Sequence, residues 1–330
     1  MLNRRLTLLA AAAVSALAAM PAAAQDFPIK DKNITFVVPF AAGGPTDKAA
    51  RDLAEAMRKT LGTTIVIENA AGASGSIGAN KVAKAANDGY TLLFFHIGQA
   101  TLPTFLRNIP YKVESDFEYL GLVSENPMSL IGRPSLPANS MPELVKWVND
   151  NKGKINIGNA GVGSASHLCG MLFQSAMKID MTPVPYRGTA PAMTDLIGGQ
   201  IDLMCDQTTT TVPQIEGKKV KSFAVTTPKR LTNAALKDAP TMQEAGYKDF
   251  AVTIWQGLYA PKGTPAPVLK KINDALKIAV KDADFIKKQE AGGASAINDQ
   301  RNDPAGHKAY VSAEIAKWAP IIKSAGIYAD

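Results

Sequence analysis

From Ile34 to the C-terminus, short apolar runs alternate with segments whose apolar residues recur every three or four positions. That alternation confines the chain to an α/β architecture with largely parallel sheets, because each helix must bury its apolar stripe against a strand face. Residues 34–40 read as a strand; Ala49, Ala50, Leu53, Met57 and Leu61 then follow at helical spacing, and Gly62 ends the run. Residues 64–68 form the next strand, 77–86 a short helix and 90–95 a third strand, which together make a βαβαβ unit. A comparable set follows, with helices over 141–151, 164–177 and 190–197 and strands over 155–158, 182–185, 201–205 and 220–225. After Pro261 the pattern is mainly helical, with long runs over 267–280 and 303–325. The simplest layout is two similar lobes, the first completed by the C-terminal helices, with crossovers near residues 125 and 225.

The N-terminus carries Arg4 and Arg5, an uncharged apolar stretch over 6–20, and small residues at Ala22, Ala23 and Ala24. This is the three-part layout of a secretory signal peptide over residues 1–24, too short and alanine-rich for a good membrane span. The adjacent arginines also permit the twin-arginine route, although Thr7 fits it poorly. No lipid-attachment cysteine follows, so the mature chain is expected to be soluble in the periplasm. Of 330 residues, 306 then remain, enough for two domains. The signal holds two of the 36 basic residues and none of the 29 acidic ones, so the formal charge falls from +7 to +5. The excess favours an anionic ligand, but the basic residues form no dense run, which argues against nucleic acid.

Two turns carry most of the chemical signal. In PFAAGGPTD, residues 39–47, Gly43 and Gly44 allow a tight turn between strand and helix, and Pro45 suits the first helical position. The helix therefore starts with free amides aimed into the loop, where a carboxylate gains hydrogen bonds and a favourable dipole. An ordinary strand-to-helix turn looks the same, and Asp47 in the first helical turn is placed to take some of those amides itself. GNAGVGSASH, residues 158–167, repeats the arrangement with hydroxyls at Ser164 and Ser166. Two such turns, one in each lobe, are suited to face each other across a cleft.

The other polar segments divide less sharply. GASGSIG, residues 72–78, has neither the dinucleotide spacing nor a phosphate-loop lysine and reads as a packing turn. FFHIGQAT, residues 94–101, puts His96, Gln99 and Thr101 at a strand end, where open α/β sheets present ligand groups. CDQTTTT, residues 205–211, does the same with Asp206 and Thr208; both segments serve equally well as structural loops. Ser164 and His167 are helix neighbours, but no third catalytic member and no nucleophile elbow accompany them, so a periplasmic hydrolase is the weakest of the functional readings. Cys169 and Cys205 fit either a disulfide or two buried thiols. Metal binding is not expected, since no cysteine has a partner at ligand spacing and His96, His167 and His307 are far apart.

VVPFAAGGPTD (37–47), IENAAGASGSIGA (67–79), DGYTLL (88–93), GVGSASHL (161–168), VPYRG (184–188), DLIGGQID (195–202) and APKGTP (260–265) stand in order along nearly the whole mature chain. In these motifs the sequence resembles the substrate-binding proteins of tripartite tricarboxylate transporters, often called the Bug family. The resemblance implies an α/β two-lobed Venus-flytrap fold, type II-like, with two hinge strands. Residues 25–125 and 226–330 would form the first lobe and 126–225 the second. It also implies a carboxyl group gripped by Phe40, Ala41, Ala42, Gly43 and Gly44 from one loop and by Gly161, Gly163, Ser164, Ser166 and His167 from the other, partly through backbone amides and ordered water. His96, Gln99, Asp206 and Thr208 would meet the far end of the ligand. The implied protein is a monomer without cofactor that hands a small organic carboxylate, a di- or tricarboxylate or an aromatic acid, to a two-component integral-membrane permease. Reporting to a two-component sensor is the alternative.

Overall fold

The computed structural model describes residues 27–248 and 250–326; the expected signal peptide lies outside them. The first strands, β1 (Ile34–Val38), β2 (Ile65–Asn69) and β3 (Thr91–His96), pair in parallel with β1 in the middle. Helix α1 (Pro45–Leu61) connects β1 to β2, with Leu53 and Met57 fully buried on its inner face. Gly62 closes α1 in the left-handed conformation, donating its amide to Arg58 O, the usual end of a helix that must turn back at once. Helix α2 (Ser76–Ala83) leads into β3, and α3 (Gly98–Phe105) leaves it.

A second parallel group comprises β5 (Asn156–Asn159), β6 (Thr182–Pro185) and β7 (Leu203–Gln207), with β5 between the other two. Helix α4 (Met141–Asp150) precedes β5, α5 (Ala165–Met177) follows it, α6 (Thr189–Ile197) leads into β7, and α7 (Thr208–Glu216) follows β7. The two groups are tied by β4 (Phe117–Gly132), a strand of 16 residues. From Phe117 to Pro127 it pairs antiparallel with β9 (Thr253–Pro261), which lies against β3. From Met128 onward it pairs instead with β7 and with β8 (Lys221–Val225). Pro127 stands where the partners change, a position where the missing amide hydrogen costs the ladder little. The chain ends in α8 (Ala266–Ala279), α9 (Ala283–Ala291), the two-residue strand Ser295–Ala296 on β4, and α10 (Pro304–Ala325), which packs on α3 and β4.

Several expected boundaries moved by one or two residues, and each shift has a local cause. The first strand stops at Val38 because Pro39 has no amide to donate. The helix expected from residue 164 begins at Ala165, and Ser164 is its N-cap, accepting from His167 N at 3.2 Å. Residues 208–211, read either as lining a cleft or as a polar loop, open α7. Four consecutive threonines are poor helix formers, so burial of Thr208, Thr210, Thr211 and Val212 rather than propensity holds that turn.

Candidate functional site

Three helices of this fold begin at one place. Gly44, in extended conformation, precedes α1; Ser164 precedes α5; Gly188 precedes α6. Around them lies a small cavity lined by Phe40, Gly44, Pro45, Thr46, His96, Ala160, Ser164, Ala165, Ser166, Thr189, Asp206 and Gln207. No side chain caps the helices starting at Pro45 and Thr189, so both keep unsatisfied first-turn amides at the cavity. Their dipoles add a positive potential there, and the pair form a wall suited to a small anion.

The loops are stitched together across this space. A Cβ on Gly188 would stand 3.0 Å from Ala41 Cβ, and one on Gly163 would stand 2.8 Å from Leu102 Cδ2. Both glycines have positive φ, so close approach and backbone conformation ask for glycine together. Ser74, in the segment expected to be a packing turn, donates its hydroxyl to Val162 O of the second loop. On the first loop, Asp47 accepts from Gly43 N at 2.9 Å and from Arg51 and Asn69, while Asn69 also donates to Phe40 O. Burial pushes the Asp47 carboxyl up, but the hydrogen bonds from Arg51, Gly43 and Asn69 hold it below its usual range. Asp47 thus takes one loop amide and fixes the loop's shape.

The candidate residues separate into those on the cavity wall and those behind it. Phe40, Gly44, His96, Ser164, Ser166 and Asp206 line it. Ala41 packs on Gly188, while Ala42 and Gly43 are exposed. Gly161 borders the neighbouring groove formed with Ser74 and Tyr186. Gln99 and Thr208 are fully buried away from the wall, without hydrogen-bond partners for Gln99 Oε1 and Nε2 or for Thr208 Oγ1. Sequence reasoning missed Thr46, Thr189 and Gln207. Thr189 was findable, because Gly188 and Thr189 follow a strand and open a helix as the two recognised loops do.

The serine hydroxyls are largely committed. Ser164 caps α5, and Ser166 Oγ accepts from Ala160 N at 2.7 Å, holding the loop. Ser164 meets His167 through the backbone amide, which is a cap and not a nucleophile–base pair. His167 Nδ1 accepts from Gly163 N at 3.1 Å, and His96 Nδ1 accepts from Gly98 N at 2.8 Å. Each ring therefore carries its proton on Nε2 as a neutral donor. Burial pushes His96 down to about 3 and His167 to about 4. His96 also stacks on Phe40, with ring centroids 4.7 Å apart. Their imidazole NMR shifts are expected to stay constant from about pH 8 to pH 5, and a transition near pH 6.5 in either would contradict this burial.

The disulfide Cys169–Cys205 joins α5 to β7, linking the segment of Ser164 and Ser166 to that of Asp206 and Gln207. Among the described residues no cluster of three His, Cys, Asp or Glu is placed to hold a metal ion, and no helix is long and apolar enough to cross a membrane.

Residues 49–327 match the family described as the tripartite tricarboxylate transporter family receptor, TctC. The periplasmic binding protein BugD is 46% identical and superposes with a TM-score of 0.87 over 90% of this chain and 98% of its own. MatC from Rhodopseudomonas palustris, solved with bound malate, is 36% identical, with a TM-score of 0.85 over 90% of this chain and all of its own. A further R. palustris protein, solved with adipate, is 32% identical, with a TM-score of 0.86 over 92% of this chain and 99% of its own.

Proposed function

The chain belongs to the tripartite tricarboxylate transporter receptor family and shares its α/β periplasmic-binding-protein fold, and on that premise we propose that it captures a small organic carboxylate in the cavity between the starts of α1 and α6. It is a solute-binding receptor and not an enzyme. The observation that carries the reading is the pair of uncapped helix starts at Pro45 and Thr189, facing each other with Asp206, His96 and Ser164 around them. Free amides at two helix ends read charge and shape, and a carboxyl group supplies both.

In this reading residues 25–125 and 226–330 form one lobe and 126–225 the other, with β4 and the passage from β8 to β9 as the two crossings. The carboxylate bridges the lobes and stabilises the closed arrangement in proportion to its preference for it. The closed form is what a two-component integral-membrane permease would recognise. The BugD likeness favours the periplasm as the place of action, with residues 1–24 directing export.

A thermal-shift screen of di- and tricarboxylates, aromatic acids and neutral analogues tests the proposal. An acid present at a hundred times its dissociation constant should stabilise the fold by about 2.7 kcal/mol, and the corresponding amide should not. Stabilisation by none of the acids would defeat the reading.

A further inference from the structure

One acidic side chain, Asp206, stands among the described residues of the cavity wall. Helix amides face the cavity at Thr46 and Thr189, and His96 turns a neutral imidazole toward the space. Among them stands Asp206, 1% exposed, whose Oδ1 accepts from Gln207 N at 2.8 Å and whose Oδ2 has no hydrogen-bond partner. Among the described lining residues, His96 and Asp206 are the titratable ones, so no cation of the wall balances Asp206. The surrounding elements supply little. Lys48 on α1 acts on Asp206 through space, from an exposed position beside Thr209 O. His167 on α5 is uncharged, and Asp195 on α6 is hydrogen-bonded to the Tyr186 hydroxyl.

An ionised Asp206 would repel a dianion drawn in by the helix starts. In a dry site two carboxylates at contact distance do not both stay charged; one takes a proton and donates it to the other in a short, strong hydrogen bond. We propose that Asp206 determines which acids the site accepts, receiving the second carboxyl group of a dicarboxylate as a carboxylic acid, so that one proton enters with each dicarboxylate. The proposal rests on the cavity being the carboxylate site. Malate and adipate, held by two of the relatives, are dicarboxylates without an ammonium group, which favours a proton over a cationic ligand group as the balance.

Burial already pushes the Asp206 carboxyl up to about 6, against the opposing pull of the Gln207 amide. An arriving anion pushes it further in the same direction. Above pH 6 the free protein has lost this proton and the complex keeps it, so affinity falls as pH rises, by up to about tenfold per pH unit. Below pH 6 both forms hold the proton and affinity levels off.

Calorimetric titration with succinate, malate, glutarate and adipate, and with aspartate and glutamate as amino counterparts, provides the test. Wild type and Asp206→Asn are compared at pH 6, 7 and 8, and at pH 7.5 in phosphate and in Tris, whose ionisation heats differ. The tightest dicarboxylate should lose about tenfold in affinity from pH 7 to 8 in wild type, with close to one proton taken up. Asp206→Asn, whose amide donates as the acid would, should bind it with no pH dependence and at least wild-type affinity at pH 8. Wild-type affinity that is flat from pH 6 to 8 without proton uptake overturns the proposal, whether or not the variant folds. Tighter binding of aspartate or glutamate, lost in Asp206→Asn, also overturns it and makes Asp206 an ammonium acceptor. If wild type binds none of these acids, the cavity reading itself fails, and this inference with it.

Discussion

Gly44→Val is expected to weaken carboxylate binding by about a hundredfold, close to 2.7 kcal/mol, while leaving the fold intact. Gly44 has φ −75° and ψ 172°, a conformation open to any residue, so the substitution adds no backbone strain. A Cβ there would stand 3.5 Å from Ala41 O and 3.9 Å from Thr189 Cβ, ordinary contact distances. The two methyl groups of valine have no such room: they project toward Thr189 and the cavity, covering the amides at the start of α1. Titration calorimetry on a variant with unchanged circular dichroism measures the effect. Wild-type affinity in Gly44→Val would show that the carboxylate sits elsewhere.

Removing the disulfide with Cys169→Ala and Cys205→Ala should lower unfolding stability by about 4 kcal/mol, the loop-closure value for 36 residues of separation. Both cysteines are fully buried, so the added loss of packing makes this a lower bound. The bond ties two walls of the cavity, and the double variant should also bind carboxylates more weakly, through a looser placement of Ser164 relative to Asp206. Denaturant unfolding of oxidised wild type, reduced wild type and the double variant separates the covalent link from the packing. Equal midpoints for the oxidised and reduced wild type would mean that the covalent link contributes nothing.

The cavity wall was legible in the sequence where it is built from local turns. Pro39 to Asp47 and Gly158 to His167 announced helix starts through glycine, proline and serine at adjacent positions, and Phe40, Gly44, Ser164 and Ser166 do line the cavity. Strand-end position marked His96 and Asp206 equally well. The same rule also marked Gln99 and Thr208, which are fully buried within a few residues of the cavity wall but do not line it. One residue along a helix start turns a side chain by about 100°, which sequence spacing resolves only when the helix boundary is already known.

What lay within reach of a window of ten or so residues was settled by the local order of residues: the strand–helix alternation, the caps and the glycine turns. The long strand β4, by contrast, carries Glu125, Asn126 and Pro127 in its middle, and β9 carries Gln256 in its own. Their pairing joins residues more than 120 positions apart, from Phe117 with Pro261 to Pro127 with Thr253, and only the assembled sheet rewards it. The same holds for Thr189 meeting Gly44, Ser74 meeting Val162, and Cys169 bonding Cys205. Such contacts cost loop-closure entropy and are repaid by burial of both partners together, a quantity that no single segment contains.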